Sequence, residues 1–264
     1  MSSVGSQPQI FVSQLDGISH SEARVLAESQ LGAMIELLRS LSDEDWEKPT
    51  ECEGWRVRDI AAHVLGWAEA LTSPSEMARL TVATRKYRKQ FGDKVHAQNE
   101  AQVEMRRNLS TQELIDRLDR SAGRFVSTRA AVGLVSKYVP LYNSFFGLTT
   151  LRFLSDVIFT RDHFMHRIDI SRAVDREVKC GNAERRIVQD VVRHWDRNAA
   201  PEARLNLGGP AGGEFVFGAA PRADIEGDAL DFCRLLCGRA DPSVMKLDGD
   251  TAAARNWLSV PVIF

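Results

Sequence analysis

One stretch of about 23 residues constrains the fold more than any other, because it contains neither glycine nor proline. It runs from Leu151 to Ala173 with the sequence LRFLSDVIFTRDHFMHRIDISRA. This predicts a helix that is long for a soluble protein. At about 100° per residue, Asp162, His166 and Asp169 fall on one side of that helix, whereas His163 points well away from it.

The Asp162 and His166 pair is the candidate site within this helix. The two residues are four apart, so their side chains can reach a common point. This spacing suits two ligands of a divalent metal ion. It also suits a buried hydrogen-bonded pair, and spacing alone favours the buried pair because such pairs are common in protein interiors.

Charge and hydropathy exclude several broad classes of function. The chain carries 34 basic and 36 acidic residues, a formal net charge of −2, which gives no general attraction to nucleic acid or to anionic membranes. No segment is apolar over about 18 residues, so no transmembrane helix is predicted. Residues 1–18 lack the pattern of an export signal and are predicted to be a flexible lead-in.

The four cysteines do not predict a cysteine-based zinc site. They are Cys52, Cys180, Cys233 and Cys237, and no two of them form a CxxC pair. Without an export signal, we expect reduced thiols and a cytoplasmic protein.

Apolar periodicity predicts helices over most of the chain before residue 199. The predicted helices span 19–41, 57–71, 95–108, a helix capped by Ser110 or Thr111, 151–173 and 183–198. The basic segment 73–94 is interpreted as a solvated surface, and 133–150 as a loop with a short helical turn. His63, on the second helix beside an apolar face, is by itself best interpreted as a core histidine.

After residue 198 the pattern changes to a small α+β unit. Alternating residues predict strands at 203–207 and 214–217, followed by a helix at 228–237, a strand at 244–247 and a final helix at 251–258. The predicted domains are therefore the lead-in 1–18, a mainly α domain 19–198, and a small α+β domain 199–264.

Three segments together resemble the mycothiol-dependent maleylpyruvate isomerase family, within the DinB-like metalloprotein superfamily. They are WEKPTECEGWRVRDIAAHVLGW at 46–67, FTRDHFMHRIDISRA at 159–173, and the tail GDALDFCRLLCGR with LDGDTAAARNWL. The first two motifs carry most of the specificity. The resemblance covers most of residues 20–258 and implies a DinB-like four-helix bundle followed by a small C-terminal domain.

The resemblance also implies a metal centre with mycothiol as cosubstrate. The family's ligands are a histidine on the second helix and an acidic residue and a histidine four apart on a later helix, which map onto His63, Asp162 and His166. The metal is usually zinc, although another divalent ion is compatible with these ligands. Many relatives carry glutamate where this chain has Asp162, which is one methylene shorter.

Other residues have predicted supporting roles. Asp169 either orients a ligand or forms an ion pair with Arg172, and spacing favours the ion pair. Asn99 is a candidate for the pocket wall near the cofactor. Arg239 is a candidate for binding a substrate carboxylate, because a guanidinium binds carboxylates with two hydrogen bonds, although a surface arginine is an equal interpretation.

The leading hypothesis is a metal-dependent enzyme that uses a mycothiol-like thiol to isomerise or conjugate a small, acidic electrophile. A non-catalytic ligand-binding or regulatory protein that kept the bundle is the alternative. A metal-dependent hydrolase is the third hypothesis. We expect small-molecule partners, no nucleic acid and no membrane, and either a monomer or a homodimer.

Overall fold

A computed structural model describes residues 9–143 and 147–264. The described chain divides into two compact units. The helical unit is His20–Val178, and the sheet unit combines residues 9–19 with Lys179–Phe264.

The helical unit carries the candidate metal ligands. Its helices are α1 (His20–Arg39), α2 (Val57–Thr72), α3 (Pro74–Phe91), α4 (Lys94–Glu104), α5 (Thr111–Val135), α6 (Leu151–Phe153) and α7 (Phe159–Ala173). Side chains from α1, α2, α5 and α7 share one hydrophobic core. Met34, Ile60 and Phe125 are completely buried in it, as expected for helices with one apolar face.

Residues 151–173 are helical from end to end, as predicted. A π-helical turn, Leu154–Ile158, joins α6 to α7. The buried Arg129 of α5 donates to the carbonyl oxygen of Ser155 within this turn, through Nε at 2.9 Å and through a terminal nitrogen at 2.7 Å. That terminal nitrogen also donates to the Thr160 hydroxyl at 2.8 Å. Arg129 therefore ties α5 to the start of α7.

The predicted cap of the helix that begins near residue 111 is confirmed as Ser110. Ser110 caps α5 and forms a reciprocal capping box with Glu113, whose carboxylate accepts from the Ser110 amide at 2.8 Å. Ser42 and Asp45 make the same kind of exchange at a short turn. Both motifs satisfy backbone N–H groups that have no partner within the helix.

The prediction of a loop with a helical turn over 133–150 was wrong. Helix α5 continues to Val135, because a single glycine near a helix end lowers helix stability only by about 1 kcal/mol. The following residues form a hairpin of β2 (Pro140–Asn143) and β3 (Gly147–Thr150). The basic segment 73–94 is also ordered, with α3 occupying most of it.

The sheet unit contains a five-stranded mixed sheet. Its elements are β1 (Gln9–Phe11), α8 (Asn182–Ala199), β4 (Ala203–Gly208), β5 (Gly213–Val216), β6 (Ala223–Asp228), α9 (Ala229–Leu236), β7 (Lys246–Gly249) and α10 (Thr251–Leu258). The strand order is β1-β5-β4-β6-β7. The pairs β1–β5 and β4–β6 are parallel, and the other two pairs are antiparallel. The mainly α fold with a small C-terminal α+β part is thereby confirmed.

Two features of this unit differ from the sequence interpretation. Residues 9–11 of the predicted flexible lead-in are a strand, and residues 1–8 lie outside the described part of the chain. Helix α8 groups with the sheet and not with the preceding helices, because its Trp195 packs edge-on against Phe217 and Phe232. The units therefore divide near residue 178, whereas the predicted boundary is at 198. Strand β6 was not predicted.

The helices are too short or too polar for a bilayer: over the described ranges, none combines the length and hydropathy that crossing a membrane requires.

Candidate metal centre

His63 reaches the site from the middle of α2. The helix repeats apolar residues at Ile60, Val64 and Trp67, which turns His63 inward with 2% of its surface exposed. Its Nδ1 atom lies 2.7 Å from the Oε1 atom of Gln102 on α4. Because an amide oxygen only accepts hydrogen bonds, the proton of the neutral ring is on Nδ1, and Nε2 keeps its lone pair.

Asp162 and His166 reach the same point from α7. His166 is 6% exposed, and its Nε2 atom lies 3.4 Å from Asp162 Oδ1. The other oxygen, Asp162 Oδ2, lies 3.7 Å from His63 Nε2. One carboxylate thus faces the Nε2 atoms of two imidazoles, and the two rings meet edge-on with their centroids 5.2 Å apart.

The Nδ1 side of His166 is held by Asp169 and Cys52. Asp169 is completely buried, and its Oδ2 atom lies 3.0 Å from His166 Nδ1. The Cys52 thiol donates to the same oxygen at 3.3 Å and lies 3.8 Å from Nδ1. A carboxylate at Nδ1 fixes the ring and directs Nε2 toward Asp162, as in many metal-binding histidines.

The loop before α2 brings Cys52 and Trp55 to the site. Thr50 closes this loop by donating its amide to the Trp55 carbonyl at 3.0 Å and its hydroxyl to the same oxygen at 2.9 Å. Gly54 has a φ of 78°, a conformation that glycine adopts without strain. The Trp55 ring lies 5.2 Å from the His63 ring and 6.3 Å from the His166 ring. The indole therefore covers one side of both imidazoles.

The electrostatics of the pair favour the charged forms despite burial. Burial raises the pKa of the Asp162 carboxyl, but the positive charge and hydrogen bond of His166 outweigh burial and bring the pKa well below its ordinary value. Burial lowers the pKa of His166, but Asp162, Asp169 and Cys52 together bring it well above its ordinary value. The site therefore stabilises positive charge at its centre.

The donor set fits a divalent metal ion. His63, Asp162 and His166 each offer one ligand atom, and these atoms lie within 4.8 Å of one another. Ligand atoms around a tetrahedral zinc ion are separated by about 3.3 Å, close to the two Nε2–carboxylate distances. Asp162 Oδ2 is also buried without a hydrogen-bond partner, and a cation would satisfy such an oxygen.

A second group of close ligand atoms, Cys52, His166 and Asp169, is adjacent to the first. Here the hydrogen bonds already join the three side chains to one another. We interpret this group as the support that orients His166, because a hydrogen-bonded carboxylate on the far ring nitrogen is the usual partner of a metal-binding histidine.

The supporting residues predicted from sequence are placed as follows. Asp169 contacts His166 directly, as the orienting interpretation requires, and Arg172 Nε donates to Glu51 at 3.1 Å. Asn99 lies half-buried on α4, one turn before Gln102, the residue of α4 that bonds His63. Arg239, in the sheet unit, donates to the Cys237 sulfur at 3.3 Å. The roles of Asn99 and Arg239 stay predictions.

Sequence reasoning missed the roles of Cys52, Gln102 and Trp55. Cys52 and Trp55 both lie in the motif that carries the family resemblance, which was the available signal, but Gln102 had none. Two arginines of α7, Arg161 and Arg167, are also buried, with 1% and 4% of their surface exposed, so the helix is buried on more than one side.

The family model for the mycothiol maleylpyruvate isomerase N-terminal domain matches residues 27–171. The chain belongs to this family. The matched range covers the motif at 46–67, residues 159–171 of the second motif, and the intervening helix α4. The family resemblance seen in the sequence is thus confirmed.

Two crystal structures have the same fold as this family member. One is the mycothiol-dependent maleylpyruvate isomerase and the other is a point variant of that enzyme. Their TM-scores are 0.53 and 0.52, each at 15% identity, and each match covers 90% of this chain and 95% of the other. No curated protein sequence matches the chain.

Proposed function

We propose that this family member is an enzyme that uses a low-molecular-weight thiol of the mycothiol type as cosubstrate and a divalent metal ion, most simply zinc, held by His63, Asp162 and His166. The observation that carries the proposal is the convergence of one carboxylate and two Nε2 atoms, from α2 and α7, within 4.8 Å. Both imidazoles are oriented through Nδ1, so each turns its Nε2 atom toward the metal position, and binding of the ion would release the Nε2 proton of His166.

The chemistry supplied by a bound zinc ion would be stabilisation of a thiolate near neutral pH. Two uncharged imidazoles and one carboxylate would compensate the charge of a divalent ion only partly, so the occupied site would keep a positive charge that attracts a thiolate. Trp55 covers one side of the rings and excludes water there. His63 and His166 hold their Nδ1 protons against Gln102 and Asp169, which leaves the Nε2 side of each ring for the metal ion.

The reaction class follows from thiolate chemistry. A thiolate adds to an electrophilic carbon–carbon double bond, the resulting single bond rotates, and elimination of the thiolate leaves the trans isomer with all atoms conserved. When the electrophile carries a leaving group instead, displacement gives a thioether. The maleylpyruvate isomerase in the name of the structural relatives supports the first reaction and an acidic substrate. We propose Arg239 of the sheet unit as a carboxylate-binding group.

The structure favours this proposal over a metal-dependent hydrolase. A hydrolase needs a general base for water, but the acidic residue one turn beyond His166, Asp169, is completely buried and bonded to His166 and Cys52. A carboxylate that orients a ring in this way is not free to take a proton from water.

Metal analysis of the purified protein tests the proposed site. We expect about one zinc ion per wild-type chain at saturation, the same in His96→Ala, and a loss of about 100-fold or more in affinity in His166→Ala and in Asp162→Asn. His96 is the matched control because it is an exposed histidine on α4. Equal zinc binding in all four proteins contradicts the proposal.

The thiol requirement separates the enzyme from a non-catalytic binding protein. Turnover of a panel of cis-enedione acids and other electrophiles is measured with and without a low-molecular-weight thiol, and with and without chelator. The proposed function predicts that product forms only when thiol and metal are both present. Metal binding without turnover of any electrophile favours the binding protein.

A further inference from the structure

Helix α4 supplies no candidate ligand, yet one of its side chains contacts the centre. Gln102 is completely buried, and its Oε1 atom accepts from His63 Nδ1 at 2.7 Å. Its Nε2 atom has no hydrogen-bond partner. Burial of an amide nitrogen without a partner is unfavourable. The position of Gln102 is therefore best explained by the one hydrogen bond that its oxygen accepts from His63.

A glycine on α2 makes the approach of Gln102 possible. Gly66 follows His63 by one turn, so both residues face α4. A Cβ atom at Gly66 would lie 2.6 Å from the Cβ and 2.7 Å from the Cγ of Gln102. These distances are shorter than any van der Waals contact, so a side chain at Gly66 would displace Gln102.

The position of α4 is fixed independently by a cluster of charges. Arg106, just beyond α4, donates to Glu69 of α2 through Nε at 3.2 Å and through a terminal nitrogen at 2.6 Å. Arg117 of α5 donates to the other oxygen of Glu69 at 2.8 Å. Arg106 also donates to the backbone carbonyl of Gln102 at 3.1 Å. The backbone at Gln102 is therefore tied to α2 near His63.

We propose that Gln102 is a positioning residue of the metal centre, and that Gly66 exists to make room for it. Gln102 holds the proton of His63 on Nδ1 and directs Nε2 toward the position that it shares with the ligand atoms of Asp162 and His166. This inference rests on the proposed function. It adds a residue on a third helix, α4, to the support of the centre, and it makes the two histidines unequal: a neutral amide supports His63, whereas a carboxylate supports His166.

Zinc affinity of Gln102 variants is the first test, measured by competition with a chromophoric chelator. Gln102→Met keeps an unbranched side chain of similar length but removes the amide oxygen, and its zinc Kd is expected to rise about 10- to 100-fold. Gln102→Glu keeps an acceptor oxygen and replaces only the nitrogen without a partner. Its Kd is expected to stay within about threefold of wild type or to fall. A Kd for Gln102→Met within threefold of wild type, or equal weakening in both variants, overturns the proposal.

The imidazole spectra of the metal-free protein are a readout that a merely structural role would not change. Long-range proton–nitrogen correlation is expected to show His63 protonated at Nδ1 in wild type and in Gln102→Glu. In Gln102→Met, this preference for Nδ1 is expected to be lost while the folded signals of the rest of the chain persist. An unchanged tautomer in Gln102→Met overturns the proposal.

Gly66→Ala tests the space that Gln102 occupies. We expect its zinc Kd to rise as in Gln102→Met, and the double variant to be no weaker than Gln102→Met alone, because both substitutions remove the same hydrogen bond. Gly123→Ala on α5 is the matched control, since an added Cβ there meets nothing within 4 Å. If the losses of zinc affinity in the two single variants add up fully in the double variant, the two substitutions do not act on the same hydrogen bond, which contradicts the proposal.

These measurements separate this inference from the proposed function. If wild-type protein binds no zinc, the proposed function fails, and the imidazole spectra alone decide whether Gln102 holds His63. If wild type binds zinc and all Gln102 variants bind it equally, the proposed function stands and the positioning role is wrong.

Discussion

Asp162 and Asp169 are chemically identical side chains on the same side of one helix, but their neighbours give them different roles. Asp162 is partly accessible, with 25% of its side chain exposed, and it faces two Nε2 atoms. Asp169 is completely buried and meets the opposite ring nitrogen of His166. Seven residues along a helix are nearly two turns, so one imidazole lies between the two carboxylates.

Replacing Asp169 distinguishes the orienting role from an ion pair with Arg172. Asp169→Asn removes the charge that holds His166 Nδ1–H, and we expect zinc affinity to fall about 10- to 100-fold. Arg172→Gln removes a half-exposed charge and is expected to change zinc affinity less than about threefold, because exposed ion pairs contribute little. Chelator competition measures both. A larger effect for Arg172→Gln would favour the ion pair.

His163 shows what a helix can bury beside a polar site. Its ring is completely buried, lies 5.8 Å from the Phe125 ring, and neither ring nitrogen has a hydrogen-bond partner. Burial lowers the pKa of His163 to about 3. The imidazole is therefore neutral at neutral pH and belongs to the apolar core between α5 and α7. The sequence predicted only that His163 points away from Asp162 and His166.

At the scale of elements, the short turn before α2 depends on one carboxylate. Asp45 accepts from the Ser42 amide at 3.1 Å, from Lys48 at 2.8 Å and from Arg176 at 3.0 Å. The hydrogen bond from Lys48, followed by that from the Ser42 amide, lowers the pKa of Asp45 to about 2. This turn precedes the loop with Cys52 and Trp55, so its stability bears on the rim of the centre.

The contribution of the Asp45 carboxylate to the free energy of unfolding should depend on pH. Because the pKa of Asp45 is lower in the folded than in the unfolded chain, its stabilising contribution is fully present above about pH 4 and is lost as the pH falls toward about 2. Asp45→Asn should therefore lower the denaturation midpoint at neutral pH, and the difference from wild type should shrink below about pH 4. Urea unfolding at several pH values measures this difference.

Asp43→Asn is the control for this experiment, because Asp43 lies exposed in the same turn. A difference between Asp45→Asn and wild type that stays constant down to about pH 2 would contradict the assignment of the ion pairs.

The π-helical turn Leu154–Ile158 supports the centre from the side of α7, as the Asp45 turn supports the loop before α2. It inserts an extra residue into the helix before α7, and such turns are rare and frequently lie near functional sites. Arg129 binds the Ser155 carbonyl in this turn and stacks over the Phe125 and Phe159 rings, 5.5 Å and 5.3 Å from their centroids. The turn thereby fixes the rotation of α7 just before Asp162.

At the scale of the whole molecule, the centre belongs to one compact unit, since its candidate ligands and their supporting residues all lie within His20–Val178. Metal binding is therefore linked to the folding of that unit. The sheet unit has its own core around Trp195, and its folding need not respond in the same way.

Zinc should stabilise the helical unit selectively. At a free zinc concentration of about 1,000 times Kd, linkage adds about 4 kcal/mol to the free energy of unfolding, which corresponds to a rise in Tm of roughly 10 °C for a unit of this size. Hydrogen exchange should slow in α2 and α7 and change little in β4–β6. Equal protection of both units, or the same rise in His166→Ala, would contradict a specific centre at these residues.

The sequence by itself determined the elements whose signals are local. The absence of breakers from 151–173, the capping residue Ser110 and the alternation in the tail each act within a few residues, so most helices and the strands β4, β5 and β7 were predictable. The four-residue spacing of Asp162 and His166 also fixed their common side, and the motifs carried the family. Spacing left two interpretations of the pair open, and it favoured an ion pair for Asp169, whose Oδ2 atom lies 3.0 Å from His166 Nδ1 in the structure.

Only the tertiary structure decided which distant residues meet. Strand β1 exists because residues 9–11 pair with 214–216, and no local pattern encodes such a pairing. In the same way, Gln102 reaches His63 across 39 positions and Cys52 reaches Asp169 across 117. Local periodicity fixes the direction in which a side chain points from its own helix. Packing between helices fixes which residues it contacts, and the chemistry of this centre depends on those contacts.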